Sequence, residues 1–435
     1  MGELLDRHRR VIPSWVALYY DEPIELVSGK GSRVTDASGR SYLDFFGGIL
    51  TNMLGYDLAE IREAVDRQLS AGIVHTSTLY LIRNQVELAE KIARLSGISD
   101  AKVFFTNSGT EANETALLIA TAARRSNQVL AMRNSYHGRS FGAMALTGNG
   151  AWKSSQLSPY AVSYLHGTDR QLPAFAGLPD AAYIDACARD LEHLLATATA
   201  GDVACLIAEP IQGVGGFSMP PDGLFAAYQE ILSARGILFI SDEVQTGWGR
   251  TGEHFWGISA HGVVPDAMTF AKGLGNGFAI GGVVARGDLL DGLGGNGIST
   301  FGGNPLATAA AGAALDYVLS HELQANAAAQ GNLIISGLRD ATAGLAAVGA
   351  VRGKGLMFAV DLIDPATGVP SPALAAATLE AARERGLLIG KGGLQGHSLR
   401  MAPPLTLSED EAREGLGILT DALRHVSAAA AGQDS

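Results

Sequence analysis

Through the middle of the chain, short apolar runs bounded by turn residues alternate with longer stretches whose apolar positions recur at helical spacing. Few architectures accommodate that alternation: strands separated by helices build a mostly parallel sheet with helices on its faces. The pattern predicts strands over residues 102–106, 129–132, 204–208, 237–241, 268–271 and 280–285, and helices over 112–125 and 224–234. Beyond Gly303-Asn304-Pro305 an Ala-rich helix is expected, followed by a strand over 356–362 and helices over 373–385 and 408–424, which read as a smaller α+β lobe. A hairpin is predicted near the start, with 31–36 and 40–45 flanking the turn at Ser38-Gly39, and this arm is expected to pack with the C-terminal lobe. The expected organisation is an N-terminal arm over 1–55, a large domain over 56–310 and a small domain over 311–435.

A chain of 435 residues, 47% of them hydrophobic, can bury a large core and is not disordered as a whole. Its net charge of −12, without a clustered Lys/Arg stripe, argues against nucleic acid as a partner. Uncharged apolar stretches such as Leu306 to Leu315 fall short of the roughly 18 residues of a membrane span, so no membrane partner is expected. The N-terminus runs through Asp6, Arg7, His8, Arg9 and Arg10 to Pro13 without the apolar segment of a secretory signal, and a cytoplasmic location is expected. Cys187 and Cys205 are too few for a disulfide framework and wrongly spaced for zinc, and no metal site is expected.

Open α/β sheets bind ligands beyond the carboxyl ends of their strands, and polar residues follow apolar runs at three places. Asp242 closes the first run; a carboxylate delivered to the interior needs a cationic partner, which a protonated pyridine nitrogen would supply, although a loop-capping Asp would look the same. Lys272 closes the second and is followed by Gly273; burial would disfavour its charge and leave a nucleophilic amine, although a surface lysine with a buried stem would also fit. About one helix-containing crossover separates the two, so both can emerge at one sheet edge. In the third, Ser108 and Glu111 have capping-box spacing and Gly109 leaves amides open at a helix N-terminus, where phosphate is favoured; a plain helix cap would read the same way.

Seven ordered motifs raise the specificity: Ser108 to Asn113, Tyr136-His137-Gly138, Glu209 to Gly213, Asp242 to Gly247, Ala271-Lys272-Gly273, Thr300 to Pro305 and Arg400 to Pro404. Over nearly its whole length the chain resembles the class III, or omega, aminotransferases. Val351 to Met357 and Asp242 to Gly257 resemble the alanine–glyoxylate type most. The resemblance implies a fold-type I α/β enzyme, with a mostly parallel seven-stranded sheet flanked by helices and a smaller α+β domain. The implied cofactor is pyridoxal 5'-phosphate, held by Lys272 as a Schiff base, with Asp242 keeping the ring nitrogen protonated.

The same resemblance implies that Val244 and Tyr136 flank the ring, that Gln245 reaches its hydroxyl oxygen, and that Gly109 and Thr110 bind the phosphate beside Ser108. His137 would orient Tyr136 or fill space. Thr300 would complete the phosphate site across a subunit boundary, so a homodimer with shared active sites is the expected minimum, a tetramer being equally compatible. Arg400 would grip a substrate carboxylate, and Glu209 would pair with that arginine when an omega-amine occupies the site, unless the two form a permanent ion pair. Tyr20 and Tyr80, with Tyr19 and Leu79, match segments lining the substrate channel. Ping-pong transfer from an amino acid or omega-amino donor to pyruvate, glyoxylate or 2-oxoglutarate is implied; aminomutase, racemase or decarboxylase chemistry is the alternative on this scaffold. Gly55-Tyr56-Asp57-Leu58-Ala59 replaces the Gly-His-x-His-Pro of many relatives and Trp248 a more usual Phe, which puts donor specificity in doubt.

Overall fold

The computed structural model describes residues 2–155 and 157–432. Near the N-terminus β1 (Leu26–Lys30), β2 (Arg33–Asp36) and β3 (Ser41–Asp44) form an antiparallel meander. Its second turn is set by Asp36, whose Oδ1 accepts from the amides of Ser38 and Arg40 at 2.9 and 3.0 Å, while Gly39 takes a φ of 87° that a side chain would resist. Both β2 and β3 lie inside the predicted hairpin; β1 was not foreseen, being largely exposed.

The central sheet contains β4 (Ala101–Thr106), β5 (Gln128–Met132), β6 (Ala161–Leu165), β7 (Cys205–Ala208), β8 (Leu238–Asp242), β9 (Ala267–Phe270) and β10 (Gly281–Arg286), in the order β4-β10-β9-β8-β7-β5-β6. β5 to β9 pair in parallel, whereas β10 runs antiparallel to both of its neighbours. The carboxyl ends of β4, β5, β7, β8 and β9 therefore share one edge. Six of these strands match expectation within two residues; β6 is a half-buried edge strand whose Ala-Val-Ser-Tyr-Leu segment makes no continuous apolar run.

Alternate residues of the central strands feed opposite faces: Leu206, Phe239, Met268 and Val284 enter one core, and Cys205, Ile207, Ile240 and Val283 the other. Helix Gly109–Arg124 lays Ala112, Ala116, Leu117 and Ala120 on the second face. Each fully buried Leu or Phe contributes about 1.5–3 kcal/mol, so this two-sided burial holds the edge rigid.

The chain continues through helices Pro305–Ser320 and Leu323–Thr342 into β11 (Val348–Lys354), β12 (Met357–Leu362), β13 (Leu387–Leu388), β14 (Gly390–Gly392) and β15 (Ser398–Met401). The strands β11-β12-β15-β14 form an antiparallel sheet, and β13 extends the N-terminal meander by pairing in parallel with β3. Arg352, Ala359 and Arg400 stand opposite one another across β11, β12 and β15. No helix among the described residues is long and apolar enough to cross a membrane, and no group of three or more His, Cys, Asp or Glu there could hold a metal ion.

Candidate active site

Asp242 is the last residue of β8 and pairs with Thr269 of β9. Its carboxylate is 4% exposed and held from three sides. Asn113 Nδ2 donates to Oδ2 at 2.7 Å, His137 Nδ1 lies 2.8 Å from the same oxygen, and the Val244 amide donates to Oδ1 at 3.2 Å. Asn113 is itself fixed, accepting from Thr269 Oγ1 at 2.6 Å and donating to the His137 carbonyl at 2.7 Å. The neighbouring Glu243 faces away from this group, accepting from the amides of Gly257 and Ile258 at 2.9 and 2.8 Å. Strand alternation thus sends one carboxylate to the edge and one into the scaffold.

Lys272 follows β9 at the start of a short 3-10 turn, Lys272–Gly275, with a φ of 45°. Such left-handed backbone is uncommon outside glycine and clusters at functional sites. Dense protein around the ammonium lowers its pKa from 10.5 to about 8; Asp242 and Glu209 oppose the shift and Arg400 reinforces it. Those electrostatic couplings bring together on one site four residues singled out from sequence.

Helix Gly109–Arg124 begins beside β4. Ser108 is its cap and accepts from the Glu111 amide at 3.2 Å. Glu111 reaches back to the Asn107 amide at 2.6 Å rather than to that of Ser108, so the capping box is displaced by one residue. The amides of Gly109 and Thr110 lie in the first turn and have no intrahelical acceptor. A Cβ on Gly109 would come within 3.0 Å of Val244, which puts this turn directly against the segment after Asp242.

Arg400, on β15, is 2% exposed. Nη1 donates to the Gly213 carbonyl at 2.8 Å and Nε to that of Lys391 at 3.0 Å, while Phe46 and Phe217 each centre a ring 5.4 Å from the guanidinium carbon. Burial lowers its pKa, opposed first by Tyr19 and more weakly by Glu209. Glu209 does not pair with it. Its oxygens accept instead from the amides of Tyr136 and Gly213 at 2.9 and 2.8 Å, and desolvation raises its pKa. Gly213 lies between the two, donating its amide to Glu209 and giving its carbonyl to Arg400, so no direct ion pair braces the lobes here.

Gln245 and His137 each keep a buried atom, Oε1 and Nε2, without a hydrogen-bond partner among the described residues. Tyr136 is half-buried, with its ring edge-on to Trp152 at 5.6 Å. Tyr20 lies under the Arg383 guanidinium and lines a cavity of about 260 Å³ with Tyr19, Phe46 and Tyr56. Tyr80 is 70% exposed and Thr300 is also exposed, its neighbour Ser299 accepting from Asn107 beside the helix start. Sequence reasoning gave no role to Asn113 or Thr269, although Asn113 lay in a quoted motif. It also placed His137 beside Tyr136 alone, where the imidazole meets Asp242. Phe46 and Phe217 carried no signal, because aromatic residues in apolar runs read as core.

The aminotransferase class-III profile matches residues 18–423. The chain belongs to the class III aminotransferases. It is 38% identical to alanine–glyoxylate aminotransferase 2 homolog 2, mitochondrial, of Arabidopsis thaliana, over 94% of this chain and 84% of that one. It is 39% identical to the acetylornithine aminotransferase of Corynebacterium efficiens, over 94% and 95%. Among solved structures it superposes on a phospholyase from Arthrobacter in complex with phosphoethanolamine with a TM-score of 0.87 and 34% identity, over 97% and 99% of the two chains. This class III enzyme is therefore a fold-type I transaminase that uses pyridoxal 5'-phosphate.

Proposed function

We propose that the enzyme moves an amino group from a carboxylate-bearing amine, an amino acid or an omega-amino acid, to a small keto acid such as pyruvate, glyoxylate or 2-oxoglutarate by a ping-pong cycle. The observation that carries the substrate class is the buried Arg400 guanidinium, which no carboxylate of this chain engages among the described residues. A buried cation held by carbonyls and aromatic faces keeps a strong preference for an incoming anion, and its planar fork suits a carboxylate.

The residues fit the cofactor. Two unpartnered buried atoms, on Gln245 and His137, and the open amides of Gly109 and Thr110 support this fit, since they would offer polar contacts to a ring and its phosphate. Asp242 would hold the ring nitrogen, Lys272 the aldehyde carbon, Val244 and Tyr136 the two ring faces, and Gln245 the ring hydroxyl. Ser108 Oγ accepts from the Glu111 amide at the helix cap, which leaves its O–H available to donate to the phosphate. When bound, pyridoxal phosphate supplies an electron-withdrawing ring that stabilises negative charge developing on the substrate's α-carbon.

The chain's own groups do the rest. Asn113, His137 and the Val244 amide hold the Asp242 carboxyl group in one orientation at the strand end. Lys272 Nζ, with its lowered pKa, would take a proton from the substrate's α-carbon as general base and, as general acid, deliver it to the cofactor's aldehyde-derived carbon rather than back to the substrate. Arg400 fixes the carboxylate and so sets which α-carbon bond faces that amine. Glu209, committed to the Tyr136 and Gly213 amides, holds the wall of the pocket.

Thr300 would join the site of a second copy. The exposure of Leu79, Tyr80, Leu81, Ile298 and Phe301 supports a homodimer, since so much apolar surface is unusual on a monomer.

A donor panel tests the reading. Amino acids and omega-amino acids should bleach the visible band of the bound cofactor with keto-product release, and isopropylamine should do so only weakly. If no donor bleaches the band while ammonia or a racemised product accumulates, the protein is a lyase or racemase on this scaffold and the transfer reading fails.

A further inference from the structure

The Val351 to Met357 segment, which set the subgroup resemblance, has no part in the chemistry above. Arg352 within it faces the loop after β7. Its Nη2 donates to the Gly216 carbonyl at 2.5 Å and its Nε to that of Phe217 at 3.2 Å. The same guanidinium forms a two-oxygen ion pair with Asp361, with Nη2 at 2.8 Å from Oδ1. Ser398 completes the network: its hydroxyl donates to Asp361 at 2.5 Å and accepts from Arg352 at 3.3 Å. His397 Nε2 lies 3.7 Å from the same carboxylate.

This loop is also the one that Arg400 depends on. Gly213 gives its carbonyl to Arg400 and also accepts there from the Gly216 amide, and Phe217 lays its ring against the guanidinium. The register explains the convergence. Arg352 and Arg400 stand opposite Ala359 from its two sides, so their side chains project from the same face of the sheet. The loop cannot hold this form by itself: Phe217 has a φ of 51°, which is strained for an aromatic residue. A Cβ on Gly216 would lie 2.6 Å from the Ser398 hydroxyl, so loop and clamp are in close contact. Strained backbone persists only where its surroundings over-determine it, and the Arg352 fork grips both carbonyls at the strained residue.

We infer that Arg352 is a positioning residue for substrate-carboxylate recognition: paired with Asp361, it locks the Gly213 to Phe217 loop that holds the Arg400 guanidinium in place. The inference rests on the carboxylate role proposed for Arg400. It predicts a selective defect, because Arg352 grips the Gly216–Phe217 end of the loop, where Phe217 meets Arg400, while the Gly213 end is separately tied to Glu209.

The test is single-turnover amino transfer by holoenzyme, from the best amino-acid donor of the panel and from that donor's analogue with methyl in place of carboxylate. Wild type, Arg352→Ala, Arg352→Lys, Asp361→Asn and Arg400→Ala are compared. Arg352→Ala should raise the amino-acid concentration for half-maximal rate about 10- to 100-fold, the size of effect expected from a misplaced substrate-holding group. Its cofactor uptake and its rate with the methyl analogue should stay near wild type. Arg352→Lys keeps a charge for Asp361 but lacks the planar fork, so it should rescue only partly; it also carries the test if the alanine variant does not fold. Asp361→Asn should show the same selectivity more mildly. Equal losses on both donors, unchanged affinity for the amino acid, or full rescue by lysine would overturn the inference. If Arg400→Ala itself shows no carboxylate-selective loss, the underlying reading fails instead.

Discussion

In the proposed reaction Asp242 and Lys272 act by different devices. Three hydrogen-bond partners fix the carboxyl group of Asp242, whereas burial disfavours the charged form of the Lys272 amine. Replacing Asp242 by Asn keeps the shape and removes the charge; turnover should fall about 10²- to 10³-fold, the usual effect of losing one preorganised electrostatic contact, while cofactor still binds. Steady-state kinetics beside an absorbance titration checks both halves. For Lys272 the sign runs with pH. The folded chain gives up this proton near pH 8 and the unfolded chain near 10.5, so the folded state is penalised below pH 8 and the penalty vanishes above 10.5. Apoprotein stability relative to Lys272→Ala should therefore rise by on the order of 3 kcal/mol between pH 7 and pH 11, read from urea unfolding of both proteins at each pH. Capture of cofactor by wild-type apoprotein should accelerate through pH 8 rather than 10.5. Arg400→Ala should cost carboxylate donors about 10- to 200-fold, the equivalent of about 1.5–3 kcal/mol for hydrogen bonds to a charged group, and spare isopropylamine. Asp242, Lys272 and Arg400 were legible because each ends or interrupts an apolar run in a recognisable motif. Asn113 was not, because an amide inside a helix has no pattern until a strand brings the carboxylate to it.

Strands and helix termini set these residues where they act. β8 and β9 are fully buried, so their register is fixed by packing on both faces, and the polar residues at their ends must emerge together. Helix Gly109–Arg124 depends on its cap. Ser108→Ala should lower stability by about 1 kcal/mol, measured by thermal unfolding of the apoprotein, with cofactor affinity reduced less than tenfold. A larger loss of affinity would show that the hydroxyl also donates to the phosphate while it caps the helix. Continuous buried strands were read correctly from sequence because apolar residues dominate them on both faces. Edge strands such as β1 and β6 were missed because one side faces solvent and the pattern weakens. The short strands β14 and β15 are defined by their partners rather than by their own composition.

At the scale of the molecule, the C-terminal sheet brings Arg400 against the loop that follows β7 of the seven-stranded sheet. The alternation of apolar runs made the architecture of that seven-stranded sheet legible. The convergence of lobes was not, because the contacts between Gly213, Phe217 and Arg400 join residues nearly two hundred positions apart. The proposed dimer should sediment at twice the 45.2 kDa of one chain, and a monomer with full activity would remove Thr300 from the site. The most direct measurement is borohydride reduction of the holoenzyme followed by peptide mass mapping, which fixes the cofactor to whichever amine holds it. The account predicts label on Lys272 alone, lost in Lys272→Ala. Label on Lys153, Lys391 or any other lysine would contradict it.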